Sequence, residues 1–399
     1  MYITGLTHRD ELFDLTIRWL NDDFHHGDVQ TISEIFLYES FISATVIVRR
    51  MLDFLKRIFG DLKTESAKNK GFLRECLIRY APHRSPRIDE FEKSYRENPE
   101  FFFPRLPIDA VLYLNSETHP VSIGRTKRLF RVAEKASYRL IDALFREIIA
   151  EATHIAEKRA LEVGVPLSSL ISSEEAMLQD FMDAEIAISH RFRQKNVCFT
   201  KEALAINDMV GFKIIGEQDV LGQVLELLQE EPGFTVIERD SHTGNYNAVN
   251  VLIDIELPEA GELIDASRRF DWSMSVRRGL DPDKARQGFP AYIEQGARVI
   301  RMEIILTTYN ELMESEFGRS LHELRILQLR ERKAYSGLIA QNAEYLIEYL
   351  LSLAIAPVLD VAELPIKMYG RYLPETLSAA KHDLFGSKID ESLINAFCL

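Results

Sequence analysis

Two short apolar runs constrain the fold more than anything else in the chain. Val210–Ile215 and residues 298–306 are both rich in β-branched side chains and read as buried strands. Each carries a carboxylate. Asp208 stands at the edge of the first run, and Glu303 interrupts the second. A carboxylate inside such a strand is costly to bury unless it is paired or bound to a metal. Two of them on neighbouring strands are what a Mg²⁺-dependent phosphoryl-transfer site requires. Asp208 and Glu303 read either as such a catalytic and metal-ligating pair or as carboxylates solvated at strand edges.

The rest of the chain is organised around these strands. At 399 residues, two or three domains are expected. Residues 1–165 read as mainly helical. Leu12, Leu15, Trp19, Ile42, Val46, Leu55 and Ile58 recur at three- and four-residue steps. Prolines punctuate residues 82–120, which read as a long connection with short elements. Residues 126–162 carry a helical stripe of Leu129, Ala133, Ala136, Leu140, Leu144 and Ile148. Ser173 then caps a helix that runs to about Arg193. Residues 166–330 hold four strands with helices between them and an insertion at 258–297. Residues 331–399 read as a helical C-terminal region. The fold class is α+β, a mixed sheet flanked by helical regions.

The formal net charge is -14 and the pI about 5.3. That argues against binding nucleic acid or anionic membrane over the whole surface. A local basic groove is still compatible with it. Arg191, Arg193, Lys195 and Lys201 immediately precede the Asp208 strand. They read either as a phosphate-binding groove or as a solvated helix end whose cations favour the negative pole. Cys76, Cys198 and Cys398 lie too far apart for a zinc or disulfide motif, so a reducing compartment is expected, with the cytoplasm as the simplest address. The longest apolar run, residues 349–359, is broken by Ser352 and Pro357 and reads as too short to span a bilayer.

In order, these elements resemble the RelA/SpoT-type alarmone synthetase domain, which has a nucleotidyltransferase-like fold. The family pattern is a basic segment, Asp-Leu-x-Gly-x-Arg, Gly-Tyr-x-Ser-x-His, Glu-Ile-Gln-Ile-Arg-Thr, and then a helix with Glu-His. The corresponding stretches here are Arg191-Phe-Arg193-Gln-Lys195, Asp208-Met-Val-Gly211-Phe-Lys213, Gly244-Asn-Tyr246-Asn-Ala-Val-Asn250, Glu303-Ile-Ile305-Leu306-Thr307 and Glu314-Ser-Glu316-Phe317. The resemblance covers roughly residues 175–330. It departs from the family at Lys213 (for Arg), Asn250 (for His), Ile305 and Leu306 (for Gln and Arg) and Phe317 (for His).

The resemblance implies transfer of pyrophosphate from ATP to the 3′-hydroxyl of GDP or GTP. Asp208 and Glu303 would hold Mg²⁺, with Glu303 also a proton acceptor. Arg191, Arg193, Lys195 and Lys201 would grip the triphosphate. Tyr246 would stack on the acceptor base, and Lys213 and Asn250 would stand in the nucleotide site. The departures imply a slow enzyme or a different acceptor. Two alternatives stand beside this reading. One is a toxin-type pyrophosphokinase acting on tRNA or adenine nucleotides, for which Arg268-Arg269 and Arg277-Arg278 of the insertion would hold a nucleic-acid backbone. The other is a degenerate domain that binds nucleotide or protein without chemistry.

Overall fold

The computed structural model describes residues 7–244, 246–331, 335–357 and 360–386. A seven-stranded mixed sheet runs through it: β1 (Lys63–Asn69), β2 (Pro107–Leu114), β3 (Pro120–Thr126), β4 (Val210–Ile215), β5 (Phe234–His242), β6 (Ala248–Glu256) and β7 (Val299–Thr307). The spatial order is β1-β2-β3-β4-β7-β6-β5. The β4–β7 pair at the centre is parallel. The other neighbouring pairs are antiparallel. Val210–Ile215 and the run at residues 298–306 are thus adjacent strands.

Residues 1–165 are mainly helical, and they also supply three strands, β1–β3, that the sequence did not show. β1 is an edge strand with only Ala67 buried, so it shows no apolar alternation. β2 and β3 lie among the prolines. Pro107 and Pro120 each begin a strand, where the missing N–H costs little. Because these strands bond into the same sheet, the unit carrying β4 and β7 begins before residue 166.

The helices are α1 (Arg9–Leu20), α2 (Asp28–Ile42), α3 (Val48–Phe59), α4 (Lys70–Arg79), α5 (Pro86–Glu97), α6 (Leu129–Glu162), α7 (Glu174–Arg193), α8 (Gln218–Glu230), α9 (Ala260–Arg268), α10 (Pro282–Gln295), α11 (Tyr309–Phe317), α12 (His322–Glu331), α13 (Leu338–Leu353) and α14 (Pro374–Phe385). Ser173 caps α7 as expected, accepting from the Ala176 amide at 3.2 Å. A π turn, Ser43–Ile47, joins α2 to α3. The resulting helix, Asp28–Phe59, has the length and composition to cross a bilayer, which the sequence reading did not register. However, 72% of its most apolar window is buried within the protein, as in a central core helix.

The sheet's two faces have different fates. Phe212, Ile214, Val251, Ile253, Met302 and Ile304 pack into one large core shared with α1–α3, α6 and α13. Each fully buried side chain of this kind contributes about 1.5–3 kcal/mol. On the other face, α4, α5 and α11 cover Ala110, Leu112, Ile123 and Ile215. That cover stops short of the middle of β4, β7 and β6, which leaves a cleft.

The insertion 258–297 is helical and packs on α2 through an aromatic cluster. Tyr38 and Trp272 meet edge-on with centroids 5.6 Å apart, and Phe41 meets Phe289 at 5.0 Å. Arg268 pairs with Asp265 at 2.8 Å. Arg278 is buried and donates to Ser40 at 3.3 Å. None of Arg268, Arg269, Arg277 and Arg278 lines the cleft.

Candidate active site

Strand register builds the floor of the cleft. Arg125 on β3, Gly211 on β4 and Glu303 on β7 stand in one cross-strand row. In the next row Lys213 pairs with Ile305, and Ile305 with Asn250. Partners in register share a face, so Arg125, Lys213, Asn250, Glu303 and Ile305 all look into the same space. Gly211 contributes no side chain to it. The cavity measures about 760 Å³. Asp208, Lys213, Tyr246, Asn250 and Glu303 all line it, as the sequence reading grouped them.

Asp208 lies in the bend before β4. Its Oδ2 accepts from Lys135 at 2.6 Å and also from Lys127. Burial raises its pKa, but the two lysines outweigh that and hold the carboxyl well below the usual carboxylate range. Its Oδ1 is buried with no hydrogen-bond partner among the described residues. Lys127 is itself pushed down to about 8 by burial, with Asp208 opposing the shift. Glu303 accepts from Asn250 Nδ2 at 3.1 Å. Its pKa is raised, first by burial and then by the negative charge of Asp208. The two carboxylates therefore feel one another across the floor.

Lys213 is buried, and its pKa is lowered to about 7. Burial is the main cause, followed by the charge of Arg125. Its Nζ lies 6.0 Å from the centroid of Tyr246, and Arg325 Cζ lies 5.6 Å from the same centroid. His322, also in the cleft, is pushed down to about 2 by burial and by Arg125, so its imidazole is neutral. Behind the floor, Lys70 pairs with Glu316 at 2.7 Å and Glu323 at 3.0 Å, and Arg74 pairs with Glu323 at 3.0 Å.

The expected basic grip is elsewhere. Arg191, Arg193, Lys195 and Lys201 do not line the cleft. Arg191 bridges to Glu147 at 3.5 Å and to Glu151, Lys195 to Asp23 at 2.8 Å, and Lys201 to Asp10 at 3.0 Å. Arg193 lies over Tyr369. Carboxylates of other elements pair with three of the four, so these cations tie α7 and the segment after it to α1, α6 and the α1–α2 connection.

The cations that do reach the site were missed in the sequence. Among the described residues nine lysines and arginines line the cleft against four carboxylates, in a protein with a net charge of -14. Five come from one stretch: Arg125, Lys127, Arg128, Arg131 and Lys135. Arg319 and Arg325 face them from around α12. Arg125, Arg128, Arg319 and Arg325 form no ion pair with a described residue. A signal was present. Cations crowd the start of α6, which has no acidic residue in its first turn and no side-chain cap. Positive charge there opposes the helix dipole and is unfavourable unless an anion is nearby.

The departures from the RelA/SpoT-type pattern divide by face. Lys213, Asn250 and Ile305 line the cleft, whereas Leu306 is buried in the core. Phe317 packs with Tyr95 at 5.5 Å and with Phe102 at 5.9 Å.

The cleft passes a chemical test for a Mg²⁺ ion. It offers hard oxygen donors from two carboxylates, one of them with an orphaned buried oxygen. Among the described residues no cluster of three or more His, Cys, Asp or Glu side chains forms an all-protein cage. Mg²⁺ characteristically takes one or two carboxylates and completes its shell with phosphates and waters.

No protein-family model matches the chain, and no curated protein matches it. Among solved structures, the chain is similar to small alarmone synthetase 1 from Bacillus subtilis over 41% of its own length and 68% of that chain, at 16% identity and a TM-score of 0.20. It is similar to small alarmone synthetase 2 from the same organism over 45% and 70%, at 12% identity and a TM-score of 0.19.

Proposed function

We propose that this cleft is the active site of a nucleotide pyrophosphokinase on a nucleotidyltransferase-like domain, with ATP as donor and the 3′-hydroxyl of a guanosine nucleotide as first-choice acceptor. One observation carries the reading. Asp208 and Glu303 share a cleft whose lining, among the described residues, carries nine lysines and arginines, within a protein that is otherwise strongly acidic. Phosphoryl-transfer catalysis is mainly positioning and charge stabilisation, and such a lining suits a triphosphate.

Asp208 and Glu303 are the residues that would hold Mg²⁺, which supplies neutralising charge at the phosphate oxygens when bound. Arg125, Arg128, Arg319 and Arg325 are the free grips for phosphate, and arginine suits that task through its planar fork of donors. The acceptor oxygen attacks the β-phosphorus. The bond from that phosphorus to the α–β bridging oxygen breaks, and AMP leaves with the oxygen. The hydroxyl proton passes to Glu303, whose raised proton affinity suits a general base. Asn250 fixes the orientation of that carboxylate. Tyr246 offers an aromatic face for a purine.

Binding tests the reading before turnover does. Calorimetry with Mg²⁺ and a non-hydrolysable ATP analogue should show one site per chain, lost in the Arg125→Ala/Arg128→Ala variant. No binding by the wild-type protein would leave the cleft without its donor and end the reading.

A further inference from the structure

We infer that the chain forms a two-fold symmetric dimer through α7, packed antiparallel against α7 of a second copy. Nine of the twenty exposed large apolar residues among those described lie within residues 149–186, about a tenth of the chain. On α7 they fall in line. Leu178, Met182 and Ile186 are 61%, 48% and 54% exposed and follow one another at four-residue steps. Residues at that spacing share one helix face. The opposite face of α7, with Ala184, Ile188 and Phe192, is already buried against the rest of the chain. An exposed apolar stripe of this kind marks an interaction surface.

Charge and register name the occupant. The same outward face begins at Glu175 and ends at Arg193, both exposed and neither in an ion pair with a described residue. The seam between them is about 27 Å long. A two-fold axis passing over Ala184 sets Met182 against Ile186 of the second copy. The same axis sets Glu175 against Arg193 of the second copy, and the reverse pair follows by symmetry. One register thus satisfies the apolar centre and both charged ends, as an isologous interface requires. A parallel arrangement would set Glu175 on Glu175 and Arg193 on Arg193. The hairpin tip between α6 and α7 adds Val163 and Ile171, 62% and 98% exposed, beyond each end of the seam. Contact there takes the buried area toward the roughly 800 Å² per partner of a stable complex.

Sedimentation of the full chain at micromolar concentration tests this. The wild-type protein should sediment as a dimer. Met182→Asp, at an exposed position, should sediment as a monomer with an unchanged thermal melt. Glu175→Arg and Arg193→Glu should each weaken the dimer about tenfold, since each breaks two symmetry-related pairs and creates two like-charge contacts. The double variant Glu175→Arg/Arg193→Glu should regain wild-type affinity. A monomeric wild-type protein overturns the inference and leaves the stripe to some other partner. So does a dimer that survives Met182→Asp, or a double variant as weak as the single ones.

Discussion

Asn250 on β6 donates to Glu303 on β7 at 3.1 Å, across the floor of the cleft. The bond holds one carboxylate oxygen, Oε1, in a fixed direction. Asn250→Ala should release that carboxylate without touching the cations of the lining. A misplacement of about 1 Å can cost on the order of 100-fold. Turnover should therefore fall by about 10- to 100-fold, with the KM for ATP close to wild type. A rise in KM at unchanged kcat would show that Asn250 binds substrate rather than orienting Glu303.

Two glutamates thirteen positions apart should respond in opposite ways to loss of charge. Glu316 is buried and paired with Lys70 and Arg74, which hold it below the usual carboxylate range despite burial. Breaking such a pair leaves buried cations uncompensated, so Glu316→Gln should cost about 3–5 kcal/mol. Among the described residues no cation is bonded to Glu303, which sits near Asp208. Glu303→Gln should abolish transfer and leave the thermal melt unchanged or higher. Thermal unfolding of the two variants side by side checks both. A strongly destabilised Glu303→Gln would mean that its charge supports the fold.

Lys213 gives the cleft a pH response near neutrality. Arg125 from β3, Lys70 from α4 and Arg325 from α12 disfavour its charge. Glu316 from α11 favours it, and Tyr246 and the neutral His322 stand beside it. With a folded value near 7 and an ordinary value of 10.5, the charged buried amine penalises the fold fully below about pH 7. That penalty is relieved as pH rises from 7 to 10.5, so stability from this group increases over that window. Anion binding runs the other way. Phosphate favours the protonated amine, so affinity for a triphosphate should fall as pH rises through 7. Lys213→Met should flatten that part of the profile. Calorimetry of the same titration in two buffers of different ionisation enthalpy should show proton uptake in the wild-type protein and less in Lys213→Met. Equal uptake in both would exclude Lys213 as its source.

Lys127 and Lys135 occupy Oδ2 of Asp208. Without nucleotide, a divalent cation must compete with two positive charges already in place. Mn²⁺ alone should therefore bind weakly, and the Lys127→Met/Lys135→Met variant should bind it about tenfold more tightly, equivalent to about 1.4 kcal/mol. Electron paramagnetic resonance of free Mn²⁺ reads this without turnover. Unchanged affinity would mean that Asp208 is not where the ion binds.

The sheet's centre was legible because β4 and β7 are apolar, β-branched runs with nothing helical in their spacing. The long α6 was legible from its stripe, and α7 from Ser173. β1 was not, because an exposed edge strand with one buried alanine carries no period-2 signal. Glu303, Lys213 and Asn250 share a face through strand register, and Asp208 and Tyr246 reach the same cleft from just before β4 and β6. The expected basic grip does not line the cleft. The cluster Arg191–Lys201 looked free in one dimension, yet its partners Glu151, Asp23 and Asp10 lie 40 to 191 residues away in sequence and reach it only through tertiary packing. The stretch from Arg125 to Lys135 held the cations that face the carboxylates. Its signal was the mismatch between positive charge and a helix N-terminus.

The most direct test of the central claim is the fate of the donor nucleotide. The protein should be incubated with γ-labelled ATP, Mg²⁺ and, separately, GDP, GTP, AMP and tRNA, with AMP and labelled product quantified together. AMP should appear one-for-one with label on an acceptor, a guanosine nucleotide first, and should vanish in Glu303→Gln. Release of ADP and phosphate, or AMP formation that persists in Glu303→Gln, would contradict that claim.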